Sequence, residues 1–389
     1  MQNFTFQNKT RIVFGRGVEA KTGEEVKKFG DRALFLYGQG SIKEYGIYEG
    51  VNDSLQEHGI ETVELGGVQP NPRLSLVNEG IDICEKEGID FVLAVGGGSV
   101  IDTAKAIAIG VPYEGDVWDF YATDKPVEEA LPVGTVLTIP AAGSESSSGS
   151  VITKEEGGLK RDVGSEKIRP KFAIMNPEFT YTLPDFQTAA GAADIMSHVM
   201  ERYFTNEPNV DFTDRLSEAT LQTVIENTPR AIEEPENYAP RSQIMWASTV
   251  AHNDLLGTGR VEDWASHQIE HELSGMYDVT HGAGLAIIFP AWMKYVYQEN
   301  PERFAQFAVR VWNVDPNFFS LEETALRGIN ELEAFYRSIG LPTRLNDLEP
   351  EITDQDMEEM AEKCTDRGPV GNFVELGKEE VLEIYELAR

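Results

Sequence analysis

The chain is short of cationic groups. Its 33 Lys and Arg stand against 66 Asp and Glu in 389 residues, a formal charge of −33. Such a field repels nucleic acid and anionic membrane surfaces, so neither is expected as a partner. The acids are spread along the chain rather than gathered in a tail, and solubility is their expected role. An anionic cofactor would then need local donors and dipoles to hold it. Cysteine is nearly absent. Cys84 and Cys364 form no Cys-x-x-Cys pair, which excludes thiolate zinc motifs, and two isolated thiols fit a reducing, cytoplasmic compartment. No apolar run approaches bilayer length, and residues 1–6 offer neither a basic nor an apolar leader segment. The expectation is therefore a cytoplasmic protein with no membrane partner. There is no internal repeat, low-complexity tract or Gly/Ser linker. With 41% hydrophobic and 25% charged residues, the composition is that of a globular protein long enough for two domains.

What is present falls into two textures. Up to residue 184, short apolar runs alternate with amphipathic segments. Residues 33–37, 60–65, 91–95 and 135–139 read as strands, while 41–58, 74–87 and 99–109 read as helices, and 151–175 as a β-rich excursion. This order implies a parallel sheet wrapped by helices. After Pro184 only helical spacing is evident, over 185–204 (with Asp185 as N-cap), 213–227, 240–256, 262–276, 283–297, 321–338 and the last fifteen residues. The expected organisation is an α/β nucleotide domain over 1–184 and an all-helical domain over 185–389. The short join predicts that they pack closely across a cleft.

Three glycine- or hydroxyl-rich loops follow strands in the first half. Gly96, Gly97, Gly98 and Ser99 end a strand and open a helix, the context in which backbone N–H groups and the helix dipole bind phosphate. Three consecutive glycines exceed the needs of a turn. Gly38, Gln39, Gly40 and Ser41 form a weaker fragment, with Lys43 where a dinucleotide fingerprint has its third glycine. By that fingerprint's rule, Glu64 would hold a ribose hydroxyl and indicate NAD. The third loop, over 140–148, reads equally as a nicotinamide-side lining or as a solvated surface loop.

In the second half, four of the six histidines cluster in sequence. Asp194 and His198 are four apart on one helical face, and His267 and His271 repeat that spacing on another. His281 precedes Gly282, Ala283 and Gly284, where little bulk would crowd a metal with an open position. One carboxylate and imidazoles suit a borderline divalent cation: Fe(II), Zn(II), Co(II) or Ni(II). Five candidates exceed four positions, and spacing does not say which one acts otherwise. His58 and His252 read as packing residues. A metal centre in one half and a nucleotide loop in the other suggest a metal-dependent dehydrogenase.

These residues together resemble the iron-containing (group III) alcohol dehydrogenases, in the branch of NADPH-dependent butanol dehydrogenases and aldehyde reductases. The resemblance runs from Thr10 to Gly17, through Pro70, Asn71 and Pro72, the 96–105 run, 138–145, Asp194 to His198 and 266–284, to Gly371, Asn372 and Phe373. It implies a Rossmann-like nucleotide domain followed by an all-α metal domain, the dehydroquinate synthase-like architecture. It implies Asp194, His198, His267 and His281 as ligands to iron or zinc, with His271 left beside the nicotinamide as a proton relay. It puts the 96–99 loop and Asp102 at the pyrophosphate and the 38–41 loop at the adenosine ribose. Asn71, Thr138, Ser144, Lys160 and Leu183 then line the cofactor cleft. NAD-specific members carry an Asp in the 38–41 loop. Here there is none, which implies NADP(H) in preference to NAD(H) and overrides the Glu64 argument. Gln39, where close relatives often have glycine, and Phe179, where tyrosine is common, depart from the pattern. The family's N-terminal dimer strand implies a homodimer. Small primary alcohols and aldehydes are the implied substrates. Glycerol-type NAD-dependent dehydrogenases of the same fold and a silent nucleotide- or metal-binding regulator are the rival readings.

Overall fold

The computed structural model describes residues 1–349 and 351–389. It divides into two compact units: a sheet unit of Gln7–Leu183 with Pro235–Met245, and a helical unit of Met1–Phe6, Pro184–Glu234 and Trp246–Arg389.

The sheet unit contains β1 (Arg11–Phe14), α1 (Thr22–Val26), β2 (Arg32–Tyr37), α2 (Ser41–Glu44), α3 (Ile47–Glu57), β3 (Glu61–Leu65), α4 (Leu74–Glu87), β4 (Phe91–Gly96), α5 (Gly98–Gly110), α6 (Asp119–Ala122), β5 (Val133–Leu137), β6 (Gly149–Lys154), β7 (Leu159–Gly164) and β8 (Phe172–Met175). Six strands form one sheet in the order β1-β8-β5-β4-β2-β3, and every pairing in it is parallel. The central strands are mostly apolar because helices cover both faces. All six residues of β4 are buried, and each such Val, Leu or Phe side chain contributes about 1.5–3 kcal/mol. β6 and β7 form a separate antiparallel hairpin, the β-rich excursion read from the sequence.

The direction of strand addition reverses beside β2. The chain lays β3 on one side of it and β4 on the other, and β5 continues outward. The loops after β2 and β4 therefore leave the carboxyl edge of the sheet side by side at a topological switch point, where open α/β sheets bind ligands. The sequence reads a continuous helix over 41–58. The structure breaks it between α2 and α3, because Gly46 takes φ +74.

The helical unit holds α7 (Asp185–Tyr203), α8 (Asp211–Glu233), the latter part of α9 (Tyr238–Ala251), α10 (Ala265–Tyr277), α11 (His281–Val296), α12 (Pro301–Trp312), α13 (Leu321–Ser338), α14 (Asp354–Cys364) and α15 (Lys378–Ala388). Asp185 is the first helical residue of α7 and not its N-cap. Pro184 takes the cap position, with no side-chain hydrogen bond there. An aromatic cluster fills this core, with Phe204 stacked on Phe304 at 4.5 Å and Trp292 edge-on to Phe289 and Phe373. Among the described residues, no helix is long and apolar enough to cross a membrane.

Candidate metal centre and dinucleotide loops

In the helical unit, α7 carries Asp194 and His198 one turn apart. The Nδ1 of His198 lies 2.9 Å from the Asp194 carboxylate and 3.0 Å from its carbonyl oxygen. α10 supplies His267 and His271, and α11 opens with His281. Ligand atoms of Asp194, His267 and His281 all lie within 4.8 Å of one another. The His198 ring stands 4.5 Å from that of His267, centroid to centroid. His271 is 5.6 Å from His281 by the same measure, and with Glu270 and His281 it forms a second close group. The structure thus gathers all five residues singled out in the sequence.

Two buried carboxylates that sequence reading missed hold the imidazoles. Oε1 of Glu201, on α7, lies 2.7 Å from Nδ1 of His267, and Nδ1 of His281 contacts Oε2 of Glu270. With their Nδ1 atoms so engaged, both rings have only Nε2 left for a cation. In His267 that atom is buried with no hydrogen-bond partner among the described residues. An orphaned imidazole nitrogen beside a carboxylate and further imidazoles fits a divalent cation and is costly otherwise. Burial pushes the His267 imidazole well below its usual range, and the neighbouring histidines add to the effect. Burial pushes the Glu201 carboxyl well up, Asp263 adds to this, and the backbone N–H groups of Trp264 and His267 pull the other way. A signal for both acids existed in the sequence. Glu201 is three positions after His198, and Glu270 three after His267, so each shares a helical face with a candidate ligand.

Trp264 braces this cluster. It holds φ +73, which a bulky side chain adopts only under constraint. Its backbone N–H donates to Glu201 at 2.7 Å, its indole N–H donates to Glu262, and its ring stands 5.1 Å from His267. The preceding Asp263 accepts from the backbone N–H groups of Asn372 and Phe373 at 2.6 and 2.7 Å. The closing 371–373 motif therefore anchors the turn that launches α10. His252, read from the sequence as a packing residue, lies beside the cluster, 4.4 Å from His198. His58, on the sheet unit, contacts the Ser54 carbonyl at the end of α3 and has no part in it.

Gly282 and Gly284 have a different cause from the one the sequence suggested. A Cβ on Gly282 would lie 1.9 Å from the Ala190 carbonyl oxygen, and one on Gly284 would lie 2.3 Å from the Glu270 carboxylate. Small residues there let α11 approach α7 and leave room for the acid that holds His281.

In the sheet unit, the three glycines after β4 differ in kind. A Cβ on Gly96 would strike Val100 at 2.4 Å, and one on Gly97 would crowd Ile139 at 3.0 Å. On Gly98 it would meet nothing nearer than Ala142 at 3.7 Å. Packing explains the first two, and Gly98 is the position where a bare backbone would serve close approach of a phosphate. It begins α5, whose first N–H groups have no partner within the helix. In the 38–41 loop, Gly40 takes φ +121, while Gln39 and Ser41 are exposed. Beyond it, Glu64 accepts from Tyr48, from Lys43 at 2.9 Å and from Tyr37. Tyr48 and Lys43 hold the Glu64 carboxyl below its usual range against partial burial.

The third loop is not a solvated surface feature. Ser144, Glu145, Ser146 and Ser147 are all buried, because the fully buried Lys105 donates to Ser144 Oγ at 2.8 Å and to the Gly149 carbonyl at 2.7 Å. Asp102 accepts from Ser144 Oγ at 2.6 Å and from the Val151 N–H at 3.0 Å. Asp102 and Ser144 thus face each other and tie α5 to this loop. The N–H of Thr138 donates to the Gly96 carbonyl. Lys160, on β7, donates to Asn71 Oδ1 at 3.0 Å, and Asn71 sits buried at φ +51. Leu183 is half-buried, its N–H on the Thr180 carbonyl.

The sequence matches the iron-containing alcohol dehydrogenase family over residues 9–177 and the C-terminal region of the Fe-containing alcohol dehydrogenase family over 188–389. The chain belongs to the iron-containing alcohol dehydrogenase family. It is 47% identical to the probable NADH-dependent butanol dehydrogenase 1 of Bacillus subtilis, over 99% of both chains. It is 38% identical to the NADPH-dependent aldehyde reductase YqhD of Escherichia coli, over 89% of both. The crystal structure of NADH-dependent butanol dehydrogenase A from Thermotoga maritima superposes with a TM-score of 0.96 at 42% identity, covering 100% of this chain and 99% of that one. The protein is an NAD(P)-dependent oxidoreductase of alcohols and aldehydes, and its family implies a divalent metal and a nicotinamide cofactor.

Proposed function

We propose that this enzyme interconverts small primary alcohols and aldehydes, butanol and butyraldehyde among them, with Asp194, His198, His267 and His281 holding iron or zinc. Nickel and cobalt suit the same donors. The observation that carries the reading is the buried Nε2 of His267, without a hydrogen-bond partner among the described residues and within reach of Asp194 and His281. A cation bound there supplies a Lewis acid for the substrate oxygen, and the nicotinamide supplies or accepts hydride. Asp194 contributes the one carboxylate of the set. His271, one turn beyond His267, passes a proton between solvent and the substrate oxygen. In the sheet unit, Gly96, Gly97, Gly98 and Ser99 take the pyrophosphate, and Gly38, Gln39, Gly40 and Ser41 the adenosine ribose. Asp102 stands with the 96–99 loop at the pyrophosphate region, its carboxylate accepting from Ser144. Asn71, Thr138, Ser144, Lys160 and Leu183 line the cofactor site. A homodimer in the cytoplasm completes the reading.

For the dinucleotide we infer NADP(H). No carboxylate in the 38–41 loop repels a 2′-phosphate, Lys43 follows two residues after Ser41, and Glu64 is matched by Lys43 and two tyrosines. The names of the B. subtilis and T. maritima relatives favour NADH instead. Initial rates on metal-replete protein with aldehydes from acetaldehyde to hexanal, with NADPH against NADH, decide between them, and an NADH preference refutes the loop argument. Lys43→Ala should lower kcat/KM for NADPH about tenfold, the loss of one charge-assisted contact, and leave NADH within about twofold. Equal losses with both cofactors would remove Lys43 from 2′-phosphate recognition.

A further inference from the structure

Glu201 is fully buried on α7, three residues after His198 and seven after Asp194, so one helical face carries all three. Its carboxyl group meets donors from α10 and the turn before it. Oε1 accepts the His267 backbone N–H at 3.1 Å and lies 2.7 Å from His267 Nδ1, and Oε2 accepts the Trp264 N–H at 2.7 Å. Two of these partners are backbone N–H groups, which can only donate. Both carboxyl oxygens already accept a backbone N–H, so the group is engaged as an acceptor on each side, and the imidazole, which could present either a proton or a lone pair, presents its proton. A neutral imidazole has a single N–H. Spent on Glu201, it leaves a bare lone pair on Nε2, the atom buried without a partner among the described residues.

We propose that Glu201 is a positioning residue that locks His267 in the Nδ1–H tautomer and thereby sets the affinity of the centre for its cation. The proposal rests on the reading of His267 as a ligand. Glu270 stands in the same relation to His281, on a different helix. Carboxylates behind metal-binding imidazoles fix ring orientation and raise donor strength, and losing one weakens binding about 10- to 100-fold. In Glu201→Gln one acceptor oxygen becomes an amide donor, which must confront either the Trp264 N–H or His267 Nδ1.

The test has two arms. In the metal-free wild-type protein, long-range ¹H–¹⁵N spectra, assigned with His267→Ala, should show His267 protonated at Nδ1 with a lone pair at Nε2. Protonation at Nε2 instead overturns the proposal whatever the variants do. In the second arm, zinc affinity is measured by chelator competition. His267→Ala should lose tight binding, and Glu201→Gln should bind about 10- to 100-fold more weakly. If His267→Ala loses zinc while Glu201→Gln stays within about twofold of wild type, the positioning role fails and the ligand reading stands. If His267→Ala binds zinc like the wild type, the ligand reading fails and takes the proposal with it. A role for Glu201 confined to capping α10 would leave the tautomer unselected. The spectra decide even if Glu201→Gln fails to fold.

Discussion

His281→Ala is expected to yield a folded protein that loses most of its metal on desalting and turns over butyraldehyde on the order of 10³-fold more slowly, a loss of about 4 kcal/mol in transition-state stabilisation. His281 is the first residue of α11 and its side chain is 22% exposed, so truncation opens no sealed cavity in the core. What it removes is one of three groups whose ligand atoms converge within 4.8 Å. It also strips Glu270 of its imidazole partner, leaving a buried acid against Ser274. Elemental analysis after gel filtration and initial rates check the outcome together. Near-stoichiometric metal with an unchanged rate would mean that the cation, if bound, sits elsewhere. Dinucleotide binding, followed by fluorescence, should survive, since the loops read as its cradle belong to the sheet unit.

The parts of this molecule that announced themselves are those where local pattern and burial agree. β4 is apolar at every position and is buried at every position. α4 and α13 begin and end where their periodicity does, and Ser320 caps α13 by accepting the Glu323 N–H. In the helical unit, two helices are not legible in the sequence. In α14 only Met357, Met360 and Ala361 are buried, too thin an apolar stripe to stand out in an acidic chain. α12 begins at Pro301, which looks like a break until Asn300 is seen to cap it with proline in the first turn. At the site, residue type and i,i+4 spacing pointed to Asp194, His198, His267 and His271, because a single helix turn brings such pairs together. Spacing could not reveal the bond between Glu201 and His267, 66 positions apart, nor the left-handed turn at Trp264. Those are settled only when α7 and α10 meet. The purpose of Gly282 was misread for the same reason, since a close backbone approach leaves no trace in spacing.

That glycine supplies the other large expected effect. In an ordinary helix interior, Gly→Ala gains about 1 kcal/mol. Gly282→Ala should reverse the sign, costing about 3 kcal/mol or more and lowering Tm by roughly 6–12 °C for a domain of this size. The added Cβ would lie 1.9 Å from the Ala190 carbonyl oxygen and 2.7 Å from its carbon, atoms of the α7 backbone that cannot rotate away. α11 would have to lift from α7, and His281 with it, relative to Asp194 and His198. Gly284→Ala makes a useful contrast. Its Cβ would meet the Glu270 carboxylate at 2.3 Å, the end of a side chain that can turn aside. It should cost less stability but disturb the acid that holds His281. Thermal unfolding in the presence of a chelator separates the two, because bound metal would otherwise add its own stabilisation to the folded state. A Gly282→Ala protein as stable as wild type would show that α11 and α7 tolerate a methyl group between them, and the close-approach explanation would fail.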